Sequence, residues 1–192
     1  MEVIHLKKTF LLLAVVLLLS ACSSGVDEHF SIEVQDFEYT DQDGNTFSKS
    51  ELDGKVWIAS MIFTNCTTVC PPMTANKVRL QQALDEAGAE AELVSFSVDP
   101  TVDTPEMLKQ YISERGGTFD NWHALTGYTD KEIKDFAAKS FKTLVQKPDG
   151  TDQVIHTTTF YLVNKEGKAI KGYNGQKAEE MQQIVEDVKK LN

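Results

Sequence analysis

The chain has 192 residues with a formal net charge of −10, from 19 Lys and Arg against 29 Asp and Glu. That acidity argues against nucleic acid as a partner and against docking on anionic lipid by charge alone. The length suits one globular core, and only three cysteines are present, so a disulfide-stapled scaffold is excluded.

In chain order, Lys7 and Lys8 precede an apolar run, Phe10 to Leu19, that is too short for a comfortable membrane span. A positive start, an apolar core and small residues after it have the form of a secretory signal. The next residues, "LSAC" from Leu19 to Cys22, resemble the bacterial lipobox. That resemblance implies a lipoprotein-type signal over 1–21, acylation of Cys22, and a lipidated tether over 22–29. The expected location is the extracytoplasmic face of the cell membrane, held by the lipid anchor. Residues 1–21 carry two lysines and one glutamate, so the remainder is more acidic still.

A single domain is expected over 30–192. "FEYTDQDGNTFS" (37–48) reads as two short strands around an Asp-Gly turn. Asp41, Asp43 and Asn45 lack the glycine spacing and the distant Glu of a calcium loop. "KVWIASMIF" (55–63) is the apolar, β-branched-rich run of a strand covered on both faces. A helix follows over 73–88, with Met73, Leu80, Leu84 and Ala87 on one side and Gly88 as its stop. "ELVSFSV" (92–98) is a second buried strand. "TPEMLKQYISERGG" (104–117) is a helix capped by Thr104, with Pro105 in its first turn and Gly116 at its end. "NWHALTG" (121–127) is a short strand or loop, "DKEIKDFAAKSF" (130–141) a helix, and 157–175 a hairpin turning at Glu166 and Gly167. Met181, Ile184, Val185 and Val188 mark a last helix. Alternation of this kind gives an α/β fold with a central mixed sheet flanked by helices and an N-terminal strand extension.

The chemistry concentrates in "FTNCTTVCPPM" (63–73), which puts Cys66 and Cys70 at the carboxyl end of the first buried strand, where open α/β sheets carry their sites. If Cys22 carries lipid, these two thiols act as a pair. Pro71 disfavours helical geometry at Cys70 and is suited to opening a helix, so both sulfurs are expected in or beside an N-terminal turn that favours thiolate. Three uses are open: a structural crosslink, a reversible dithiol, or two ligands for a soft metal. Closing so small a loop contributes only about 2 kcal/mol, a weak reason for the spacing. Two histidines fall in the folded region. His123, beside Trp122, reads as a packed aromatic-flanked residue. His156 stands just before a predicted strand.

The segments "CTTVCPPM", "SFSVDPTVDTPEMLKQY" and "IHTTTFYLV", in that order, resemble the Sco/SenC family of cytochrome c oxidase assembly proteins, over roughly Phe30 to Asn192. The resemblance implies a thioredoxin-like, membrane-anchored copper protein that serves the binuclear copper centre of oxidase subunit II. It would act by copper delivery, by reduction of client cysteines, or both. It assigns one copper ion, Cu(I) or Cu(II), to Cys66, Cys70 and His156. Two thiolates and an imidazole suit that metal independently, since soft sulfur holds Cu(I) and nitrogen makes Cu(II) tolerable. Asp99 and Asp103 of the family's DPxxDTP segment would orient ligands or meet a partner, unless they serve only turns and caps around Pro100 and Thr104. The alternative is an extracytoplasmic thiol–disulfide oxidoreductase without an essential metal, using Cys66 as nucleophile and Cys70 as resolving thiol. Three residues rather than two between the cysteines, and no proline in "HTTTF", set it apart from general thioredoxins.

Overall fold

The computed structural model describes residues 25–192; the signal expected over 1–21 and Cys22 lie outside the described residues. Among the described residues eight strands and four α-helices follow one another, with one 3-10 turn (Lys49–Leu52) after the third strand: β1 (Ile32–Glu33), β2 (Glu38–Thr40), β3 (Thr46–Ser48), β4 (Trp57–Ile62), α1 (Cys70–Glu86), β5 (Glu92–Ser97), α2 (Pro105–Ser113), β6 (Trp122–Leu125), α3 (Asp130–Phe141), β7 (Thr159–Val163), β8 (Lys168–Asn174) and α4 (Glu179–Leu191). Six strands form one sheet in the order β1-β8-β7-β4-β5-β6, and β2 and β3 pair as a separate hairpin. β4, β5 and β6 are parallel, β7 runs against β4, and β8 runs against β7 and so in the direction of β4. This is a thioredoxin-like arrangement around a mixed sheet.

Every residue of β4 is buried because both its faces are covered. Ile58 and Ile62 join a core with Leu80 and Leu84 of α1, Leu108 and Ile112 of α2, and Ile184 and Val188 of α4. Trp57, Ala59 and Met61 point to the other face, against Phe136 and Phe141 of α3 and Phe37 and Phe47 of the hairpin. The period of 2 thus sorts one continuous apolar run into two cores.

Several boundaries differ from the sequence reading. α1 starts at Cys70 rather than Met73, so Cys70 is helical despite Pro71. A first turn tolerates both prolines because its N–H groups have no intrahelical acceptor; the first such bond runs from the Met73 N–H to the Val69 carbonyl, at 3.3 Å. α2 ends at Ser113, short of Gly116, and the chain then turns so that Gly117 passes close to Trp122, where a Cβ would sit 2.9 Å from the indole. β1 had no readable signal: its two residues add to the edge of β8, Ile32 opposite Ala169. The helix over 130–141 matches, with Thr129 and Glu132 forming a reciprocal cap.

Candidate metal centre

The antiparallel pairing of β4 with β7 sets Trp57 opposite Val163 and Ala59 opposite Tyr161. Extended along the same register, it brings the segment before β7 alongside the segment after β4. His156 and the cysteine loop therefore meet at one end of the sheet although 86 residues separate His156 from Cys70. One ligand atom each from Cys66, Cys70 and His156 lie within 4.8 Å of one another. Both cysteines are free thiols and buried, and His156 is partly buried.

The local sequence dictates the thiols' environments. With Pro71 and Pro72 supplying no N–H, the Cys70 amide is the first-turn donor beside the loop, and it donates to Cys66 Sγ at 3.2 Å. Burial raises the Cys66 thiol's pKa, but the amides of Cys70, Thr68 and Val69 and the Cys70 thiol outweigh it, and the net shift is downward. Cys70 behaves oppposite to the sequence expectation. Deeper burial, the hydrogen bond to Cys66 and the charges of Cys66 and Asp103 push its thiol well up. The pair is asymmetric, with thiolate favoured at Cys66 and proton retained at Cys70.

His156 is oriented for ligation. Its Nδ1 lies 2.7 Å from the Thr157 carbonyl, which can only accept, so Nδ1 carries the proton and Nε2 the lone pair. That Nε2 is 3.5 Å from Cys70 Sγ. Phe63 meets the imidazole edge-on, with ring centroids 5.6 Å apart. Burial lowers the imidazole pKa, which keeps the ring neutral and available to a cation.

Asp103 and Asp99 do not reach into the triad; they fasten the two segments that carry it. Buried Asp103 accepts from the Thr64 N–H at 3.1 Å and the Thr64 hydroxyl at 2.6 Å, two residues before Cys66, and from the Ser97 hydroxyl at 2.6 Å. Burial raises its pKa more than those bonds lower it. Asp99 takes the Lys147 ammonium at 2.8 Å. Lys147 belongs to the 142–158 segment leading to His156, which is also held by backbone pairing of Gln146 with Ile155 and by the Gln153 amide donating to the Asn65 carbonyl at 3.2 Å. The cap of α2 is Thr104, whose hydroxyl accepts from the Met107 N–H. Asp99 also serves the turn around Pro100, accepting from the Thr101 hydroxyl at 3.3 Å and, through its carbonyl, from the Val102 and Asp103 N–H groups, and sequence reasoning missed Lys147 and Gln153, for which no motif existed.

His123 stands apart on β6, stacked on Phe47 at 4.1 Å, its Nε2 3.4 Å from the Glu92 carboxylate. A groove of about 790 Å³ opens beside Lys55, Gln81, Glu92 and Asn121, and no thiol or imidazole lines it. Chemistry, not volume, marks the functional end. No helix among the described residues is long and apolar enough to cross a membrane.

Comparisons with known proteins agree with this geometry. Residues 27–192 match the model of the SCO1/SenC family. The SCO1 protein homolog of Bacillus subtilis (strain 168) is 46% identical over 174 residues, 90% of either chain. The crystal structure of a SCO1/SenC family lipoprotein from Bacillus anthracis str. Ames superposes with a TM-score of 0.81 at 43% identity, covering 85% of this chain and 98% of that one. Yeast Sco1 with copper bound is similar at a TM-score of 0.67 and 28% identity, over 83% of this chain and 90% of that one. With a family match spanning the whole described fold and its cysteine and histidine positions, this chain belongs to the SCO1/SenC family.

Proposed function

We propose that this protein is a membrane-anchored copper carrier that assists assembly of the binuclear copper centre of cytochrome c oxidase. The observation that carries the reading is the triad itself: two free thiols and an imidazole lone pair within 4.8 Å, built by residues far apart in sequence. Cys66 and Cys70 would supply the sulfur ligands and His156 Nε2 the nitrogen. Soft thiolates hold Cu(I), and the imidazole extends tolerance to Cu(II). Bound copper is the cargo to be handed on. Three protein ligands leave a position open to an incoming ligand, whereas a structural zinc site is normally closed by a fourth. The copper-bound form of yeast Sco1 supports the same cargo here.

In this reading residues 1–21 are a lipoprotein signal, Cys22 carries the lipid, 22–29 is the tether, and 30–192 is the copper-binding domain on the extracytoplasmic face. The client is oxidase subunit II. The relative described as a family lipoprotein from Bacillus anthracis supports the anchor.

A second reading, thiol–disulfide exchange with client cysteines, draws on the asymmetry of the pair. Cys66, with its lowered pKa, suits the attacking thiolate, and Cys70 the resolving thiol. His156→Ala separates the two. Under the copper reading, the variant still forms and breaks the Cys66–Cys70 disulfide in a redox titration but fails to restore oxidase activity in cells. Full oxidase activity without added copper would transfer the essential role to the dithiol.

A further inference from the structure

Lys77 lies two turns beyond Cys70 on α1 and is 2% exposed. Its ammonium donates to Ser60 Oγ at 2.8 Å, Ser95 Oγ at 3.0 Å and the Val94 carbonyl at 3.0 Å. Nζ also sits 5.3 Å from the ring centre of Trp122 and 5.8 Å from that of Phe160. None of the ion pairs among the described residues includes Lys77. A lysine is the wrong filler for a core: a buried ammonium is costly, and burial draws its pKa well down. The surroundings nonetheless favour the cation, because three oxygens accept its three N–H bonds and two aromatic faces attract positive charge.

The metal centre lies next to this group. Cys70, Thr74 and Lys77 line one small cavity of about 10 Å³, room for a single water at most. Buried Asp103 also acts on Cys70 through its charge, after Cys66.

Two thiolates, a neutral imidazole and Cu(I) sum to one negative charge; with Cu(II) they sum to zero. A positive charge on Lys77, held by its three oxygen acceptors in a low-dielectric interior, would act on that difference. We propose that Lys77 is a buried countercharge for the metal centre, a positioning residue that acts through space on the site and favours its monovalent copper state over the divalent one. The proposal rests on the copper reading above and adds to it how the protein sets the oxidation state of its cargo.

The test compares the wild-type domain with Lys77→Met, similar in length and uncharged, and Lys77→Gln, which keeps hydrogen-bonding capacity without charge. Affinities for Cu(I) and Cu(II) are measured by competition with chelators, and apoprotein stability by urea denaturation. Both variants should lower the ratio of Cu(I) to Cu(II) affinity about tenfold, equivalent to a fall of ~59 mV for a one-electron couple. Apo Lys77→Met should unfold at the same urea concentration as wild type or a higher one, because the core loses a buried charge and gains an apolar filler. A ratio within twofold of wild type in Lys77→Gln would overturn the proposal and reduce Lys77 to a structural post. Failure of the wild-type protein to take up copper would refute the copper reading, and this inference with it.

Discussion

Replacing Asp103 tests whether the cysteine loop is held from behind. Its carboxylate receives three hydrogen bonds, from the Thr64 N–H, the Thr64 hydroxyl and the Ser97 hydroxyl, and is 2% exposed. Asp103→Ala leaves all three donors without their acceptor in a place water does not reach. At about 1 kcal/mol for each orphaned donor, the loss is about 3 kcal/mol. With a urea slope of ~2 kcal/mol/M, the unfolding midpoint falls by ~1.5 M. Asp103→Asn behaves differently, because its amide oxygen can keep both Thr64 bonds while the substitution removes a buried charge. The elevated carboxyl pKa means that ionisation itself opposes folding, so the Asn variant should stay within ~1 kcal/mol of wild type. Copper affinity should follow the same order, since Thr64 is two residues from Cys66. Urea denaturation of the three proteins measures the effect. A midpoint loss below ~0.5 M for Asp103→Ala, or equal losses for Ala and Asn, would refute the reasoning.

Lys147→Met leaves the Asp99 carboxylate, which is 1% exposed, with only the Thr101 hydroxyl and loosens the segment carrying His156. A loss of about 2 kcal/mol in calorimetry is expected, discounted for the partial exposure of Lys147, with Cu(II) affinity falling more than Cu(I) affinity. At the far end of the molecule, Asp187 accepts from the Tyr173 hydroxyl, Lys171 and Lys190. Burial alone would raise its pKa, but these bonds hold it at about 2. A folded pKa below the unfolded one gives stability that is complete above about pH 4 and lost as the pH falls toward about 2, worth roughly 1–2 kcal/mol after allowance for solvent around Lys190. Asp187→Asn should remove that stretch of the acid-denaturation profile and lower stability at neutral pH by the same amount. Cys22→Ser should abolish fatty-acid labelling in cells; label retained by the variant would exclude Cys22 as the anchor.

The alternation of strands and helices was legible in the sequence because period-2 and period-3.6 patterns are local, and the helix over 130–141 carries its own cap in Thr129 and Glu132. Cys66 and Cys70 were readable from their spacing. His156 was readable only through the family resemblance, because its approach depends on the antiparallel register of β4 with β7, a long-range property that no local pattern carries. The start of α1 was misread because Pro71 speaks against a helical Cys70 locally, yet the first turn needs no N–H from either proline. The different fates of the two thiols were invisible for a similar reason: burial and the loop's amide hydrogen bonds separate them, and both depend on the packed structure. Lys77 reads in sequence as one more polar residue of a helix, and only its complete enclosure reveals it.

The central claim is that Cys66, Cys70 and His156 form one copper site whose ligands include reduced sulfur. The most direct measurement is a copper titration of the purified domain in its dithiol and disulfide forms, beside Cys66→Ser, Cys70→Ser and His156→Ala. Oxidation converts the thiolate ligands to a disulfide and removes their charge. The reduced wild type should bind one copper per chain tightly. The disulfide form and both serine variants should lose tight binding of either oxidation state, and His156→Ala should lose Cu(II) far more than Cu(I). Equal stoichiometric binding by the reduced and disulfide forms would contradict the account and put the copper elsewhere on the chain.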